Sequence, residues 1–135
     1  INRERRDIEG DMRDMALEFA AGLIDEDEEP PSAINVFDPD FHEGVVGIVA
    51  SRLKDQWHRP CFVFAPSGAD GKEFELKGSG RSIPGFHLRD ALDLLAKRHP
   101  HVLLRFGGHA MAAGCTVLEE HFDEFDMALQ TIASE

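Results

Sequence analysis

The chain has 135 residues, 42% of them hydrophobic, with 26 acidic against 14 basic side chains and a formal net charge of −12. That size and apolar content suit one compact core and argue against a second, while the longest apolar runs fall well short of the roughly 20 residues that cross a bilayer. So negative a charge also argues against holding a polyanion by bulk electrostatics, because that affinity comes from lysine and arginine at phosphates.

In chain order, Ile8, Met12, Met15, Phe19 and Leu23 recur every three or four residues and predict an amphipathic helix over about residues 1–24. Five consecutive acids, Asp25 to Glu29, precede Pro30-Pro31 and read as a solvated linker over 25–32, which sets the helix apart from a domain at 33–135. That domain opens with a short strand at 33–37. The small-residue apolar run after His42 predicts a helix over 43–57, in which Gly44 and Gly47 permit close approach to a sheet. His42 either caps this helix or faces a ligand at the positive end of its dipole. Strands follow at 61–65 and 73–80.

The third strand runs into Lys77-Gly78-Ser79-Gly80-Arg81-Ser82-Ile83-Pro84-Gly85. Its residue types suit an anion: serine hydroxyls donate to phosphate oxygens, arginine offers a planar fork, and glycines expose backbone donors. The segment reads equally as a surface turn closed by Pro84-Gly85. Leu88, Ala91, Leu92 and Leu95 then mark a helix to about Arg98, followed by His99-Pro100-His101 in a loop. The stretch from Phe106 to Gly114, Phe-Gly-Gly-His-Ala-Met-Ala-Ala-Gly, reads as a loop with almost no side-chain bulk. Either a ligand lies directly on its backbone or it is a tight turn packed on a neighbour. A strand at 111–118 and a helix striped by Phe122, Phe125, Leu129 and Ile132 end the chain. Helices interleaved with short apolar strands point to an α/β fold with one central sheet flanked by helices. Cys61 and Cys115 fall in predicted strands without ligand spacing and are expected to be buried thiols.

Charge is unevenly distributed. From Lys77 to His109 there are six basic residues (Lys77, Arg81, Arg89, Lys97, Arg98, Arg105) against Asp90 and Asp93, a local balance of +4. That stretch contains two of the three glycine-bearing segments, so one positive face on an acidic domain is expected.

Three segments, residues 42–53, 78–86 and 106–114, resemble in this order the C-terminal half of the catalytic core of RecJ-type exonucleases, in the DHH phosphoesterase superfamily. Residues 1–9, Ile-Asn-Arg-Glu-Arg-Arg-Asp-Ile-Glu, are similar to the start of the helix that joins the two core domains in that family. Other DHH phosphoesterases and alanyl-tRNA synthetases share a glycine-rich loop of the third kind, but usually not the Ser-Gly-Arg-Ser-Ile-Pro-Gly segment. The Asp-His-His triplet that names the superfamily does not occur here, and the chain opens with Ile1, so a piece of a longer enzyme is expected.

The resemblance implies a mixed central sheet preceded by a long connecting helix. It implies a parent that removes nucleotides from single-stranded DNA in the 5′ to 3′ direction in repair and recombination, with Mn2+ or Mg2+ in the absent DHH domain. No cofactor is expected in this chain, and no metal ligand is assigned to it. Its partners would be single-stranded DNA and the DHH domain in cis, with no membrane, and the parent is expected to be cytoplasmic. By motif position, Ser79 and Arg81, supported by Ser82, bind the 5′ phosphate or terminal nucleotide. Gly107, Gly108 and His109 face the metal centre, with His109 at the scissile phosphate as the catalytic candidate. His42 and Arg52 are further substrate-binding candidates or helix-packing residues, and Arg5 and Arg6 either reach DNA or stay solvated. Two other readings are a DHH-type phosphodiesterase of short oligonucleotides or cyclic dinucleotides, and a noncatalytic module that binds nucleic acid or protein.

Overall fold

A computed structural model describes residues 31–44, 46–67 and 74–135, with Asp14 and Glu18. Apart from Asp14 and Glu18, the helix expected over 1–24, including Arg5 and Arg6, and all but the end of the acidic linker lie outside the described residues. Five strands, β1 (Ile34–Phe37), β2 (Cys61–Pro66), β3 (Glu75–Arg81), β4 (Leu103–Gly108) and β5 (Ala112–Leu118), form one sheet in the order β1-β2-β3-β5-β4. β1 and β2 are parallel and joined through helix α1 (Val46–Trp57); every other pairing is antiparallel. Helices α2 (Leu88–Arg98) and α3 (Phe122–Ala133) cover the opposite face from α1. The mixed sheet between helical layers is the α/β architecture expected from the sequence.

Alternation in β2 divides the core. Cys61, Val63 and Ala65 join Val46, Val49, Ala50 and Leu53 beneath α1, whereas Phe62 and Phe64 turn toward α2 and α3. There the Phe125 ring meets both edge-on, with centroids 5.4 and 5.1 Å away, and Phe122 meets Phe64 at 5.3 Å. Such tilted contacts set the ring edge of one residue against the electron-rich face of another. Asn35 crosses from β1 to α3, its amide donating to Asp126 at 2.7 Å.

The glycines of β3 exist for these rings. Gly78 pairs with Phe64 and Gly80 with Phe62 across the strands, and a Cβ at either would lie 2.3 or 2.5 Å from the partner's ring. Their backbones also sit in a strand paired on both sides. They are therefore not the phosphate-donating glycines read from the sequence; aromatic packing and the sheet ladder account for both.

A second difference lies at residues 106–114. Phe106, Gly107 and Gly108 end strand β4, and Ala112 to Gly114 begin β5, so only His109 to Met111 form a turn. β4 escapes sequence reading because its register shifts between Leu103 and Arg105, which breaks the two-residue alternation. Cys61 and Cys115 are buried as expected, and burial pushes the Cys61 thiol up to about 12 and Cys115 in the same direction.

Because Phe64 is fully buried and cannot withdraw, Gly78→Ala should destabilise the domain by about 2 kcal/mol or more. Gly107→Ala, whose Cβ would meet nothing within 4 Å, should change stability by less than about 0.5 kcal/mol. Urea unfolding midpoints of the two variants provide the comparison; equal midpoints would show that the ring packing yields.

Candidate nucleic-acid interface

The pleat that turns Gly78 and Gly80 toward the rings turns Lys77, Ser79 and Arg81 toward α1. Gly47, on the first turn of α1, lies directly above them: a Cβ there would come 2.8 Å from Arg81 Nη2 and 3.5 Å from Ser79 Oγ. The expected close approach of this helix to the sheet is thus made at Gly47. Gly44 instead faces the ring of His42.

The Arg81 guanidinium is held at one end, Nη1 donating to the Gly80 carbonyl at 2.8 Å. Beyond it opens a cleft of about 300 Å³ lined by Gly47, Ile48, Ser51, Arg52, Asp55 and Arg81. Among the described residues neither arginine has a carboxylate within ion-pair distance, and Asp55, in the same cleft, lies 3.1 Å from Lys54. Two guanidinium groups and the Ser51 hydroxyl around an open cavity can take an anion, and arginine in particular offers paired donors to a phosphate.

Other candidates take different places. Ser82 is 1% exposed, and its hydroxyl donates to the Phe86 carbonyl at 2.6 Å. It closes the Ile83-Pro84-Gly85-Phe86 turn, where proline precedes a glycine at φ 93° and Phe86 N–H returns to Ile83 O. Its only proton is engaged there, away from the cleft. His42 is exposed at the approach to α1, and its Nδ1 accepts the Gly44 N–H at 3.0 Å, so it braces the turn that leads into the helix.

His109 is exposed at the β4–β5 turn. Its backbone N–H donates to Ala112 O at 2.7 Å, and its imidazole makes no hydrogen bond or ion pair among the described residues. Gly108, at φ 136°, brings the chain so close to Ala113 that a Cβ would lie 2.5 Å from its Cα, so a side chain is excluded on two counts. Gly107 stands opposite Gly114 on the face that carries Ser79 and Arg81, with open space above it. The two motif segments are joined: Ser82 N–H donates to Met111 O at 2.9 Å and Leu88 N–H to Ala110 O at 2.8 Å. Sequence reading identified the members of this constellation but not these bonds, which link residues far apart in the chain.

The single positive face expected from residues 77–109 is not formed. Lys97 pairs with Asp93, Arg98 with Glu135, Arg105 with Glu75, and Arg89 lies 4.8 Å from the centre of the Phe106 ring. Lys77 lies 3.8 Å from Glu43. Among the described residues Arg52, Arg59, Arg81 and Arg89 make no ion pair, and of these Arg52 and Arg81 share one cleft.

Residues 30–135 match the DHHA1 domain family. The chain is similar to the single-stranded-DNA-specific exonuclease RecJ of Dickeya dadantii, 47% identical over 135 residues, 100% of this chain and 23% of that protein. Among solved structures it is similar to RecJ of Thermus thermophilus in complex with Mg2+, at TM-score 0.75 and 34% identity, covering 98% of this chain and 18% of that one. The Mn2+ complex of the same Thermus protein gives TM-score 0.73 and 32% identity, covering 98% and 17%. The chain therefore spans about a quarter of the length of the curated Dickeya relative. Among the described residues no helix is long and apolar enough to cross a membrane.

With its hydroxyl bonded inside a buried turn, Ser82→Ala should cost about 1–2 kcal/mol in a denaturation experiment. Arg81→Ala, at a half-open surface, should cost less than half as much. A reversed order would place Arg81 among the supports of the fold.

Proposed function

Since the chain belongs to the DHHA1 domain family, we propose that it is the substrate-holding half of the catalytic core of a RecJ-type, single-strand-specific DNA exonuclease. In this reading residues 1–24 form the connecting helix, 25–32 the acidic linker and 33–135 the binding domain. The parent digests 5′ to 3′ in the cytoplasm during repair and recombination. One observation carries the reading. Arg81 is pinned by the Gly80 carbonyl beneath Gly47, near Ser79, and faces an open cleft shared with Arg52, in which the one carboxylate, Asp55, is paired with Lys54 instead of with either arginine.

A 5′-terminal phosphate bears more charge than an internal diester, so a guanidinium and a hydroxyl fixed side by side gain more from the terminus. Ser79 and Arg81 hold that group, and Arg52 adds charge from α1. The hairpin of Gly107, Gly108 and His109 faces the DHH domain across the cleft, the strand passes over the bare Gly107–Gly114 pair, and His109 reaches the scissile phosphate. The Mn2+ or Mg2+ of the parent belongs to the DHH domain. Among the described residues the one group able to gather a metal ion is His101, His121 and Glu124, across the sheet from this cleft and richer in imidazole than those oxygen-seeking ions favour.

In the full-length parent, Arg81→Ala should slow digestion of 5′-phosphorylated strands by about tenfold to a hundredfold more than that of 5′-hydroxyl strands, as expected from one lost charge-assisted bond. Gly47→Ala, which keeps the charge but displaces the guanidinium, should shift the ratio in the same direction by less. The ratio of the two rates at limiting substrate is the measurement, and equal slowing of both substrates would make Arg81 a general backbone contact. His109→Ala should lower kcat far more than thermal stability, because the exposed ring supports no packing. Normal turnover with a large fall in Tm would make its role structural.

A further inference from the structure

At the other end of β4 from His109, the turn from α2 brings His101 against the start of α3. Its Nε2 meets Glu124 Oε2, and His121 Nδ1 lies 3.0 Å from Glu124 Oε1. The two imidazoles pack edge to face, 5.1 Å between centroids. One ligand atom from each of the three residues can be chosen so that all lie within 4.8 Å of one another. We propose that His101, His121 and Glu124 form a surface site for a borderline divalent transition ion, with Zn2+ as the representative, distinct from any metal centre that serves the exonuclease reaction.

Donor chemistry selects the ion. Two imidazoles and one carboxylate are a common zinc set, whereas Mg2+ and Mn2+ prefer oxygen. Zinc bonds of about 2.0–2.2 Å place tetrahedral donors roughly 3.4 Å apart. The two histidine–Glu124 contacts would open toward that spacing and the widest donor separation, within 4.8 Å, would close toward it, and all three side chains reach solvent.

A further contact has the form of an outer support. His121 Nε2, the ring nitrogen turned away from the site, lies 3.6 Å from Glu120 Oε1. At 3.6 Å this is a charge contact, which would act as such a support on closing to bonding distance, where a carboxylate behind a ligating imidazole fixes the ring and raises its basicity. Side-chain exposure of 54% at His101 and 47% at Glu124 leaves room for water or another ligand to complete the coordination. A bound ion would tie the α2–β4 turn to the first turn of α3.

The test is Zn2+ titration of the tag-free 135-residue chain, by calorimetry and by chelator competition, with Co2+ absorption as a second readout. Expected are one saturable equivalent, a rise in Tm with Zn2+ but not with Mg2+, and the visible bands of four- or five-coordinate Co2+. His101→Gln, His121→Gln and Glu124→Gln should each weaken binding by at least about tenfold and abolish those bands, and Glu120→Gln should weaken it by about tenfold. The metal-free Tm of each variant, expected to match the parent at this surface, checks folding; should one variant fail to fold, the other three decide. Absence of saturable binding at micromolar Zn2+, or undiminished binding in both histidine variants, would overturn the site and leave the cluster a hydrogen-bonded surface pair.

Discussion

Two phenylalanine rings lying flat across two glycines set the geometry on which everything else rests. Phe62 and Phe64 occupy the space where side chains at positions 80 and 78 would stand. Since a strand alternates its faces residue by residue, a one-residue slip would drive Ser79 or Arg81 into those rings. The aromatic core therefore fixes more than stability. It decides that Ser79 and Arg81 emerge on the α1 face, and that every other residue of the strand is glycine or apolar on the face beneath.

The same economy governs the approach of α1. A helix over a sheet normally stands off by the depth of its side chains, near 10 Å between layers. Gly47 removes that depth at one point, and the Arg81 guanidinium occupies the gap. Two backbone bonds, from Ser82 to Met111 and from Leu88 to Ala110, then tie the hairpin that carries His109 to the connection that follows Arg81. Two segments separated by about one helix in sequence are thus joined, and the backbones that carry Arg81 and His109 are positioned together by main-chain bonds.

How much of this was legible follows from how local each signal is. The helix at Leu88–Arg98 and the strand at Cys61–Pro66 were visible with nearly their observed limits, since apolar period and length are properties of the segment itself. Around the cleft Arg52 and Arg81 were visible as types, whereas Ser51 and Asp55 were not singled out, since only the helix's seat on the sheet brings them to the same opening. The reasons were hidden too: the glycines of β3 look like a phosphate cradle in one dimension, and only the partner strand shows the rings that demand them. β4 was hidden because a shifted register and two glycines erase alternation. The expected positive face dissolved because Glu75 and Glu135, distant in sequence, neutralise Arg105 and Arg98. Ser82 looked like its neighbour Ser79, and only burial separates a hydroxyl that closes a turn from one that lies beneath Gly47.

That shifted register has a consequence for self-association. β4 is an outermost strand of the sheet, and an outermost strand offers unpaired amides and carbonyls to any passing chain. The offset between Leu103 and Arg105 interrupts that row, Gly107 and Gly108 deprive its end of side chains to zip, and Arg105 sets a charge beside it. The feature that obscured β4 in the sequence thus also makes it an irregular border strand of the described sheet.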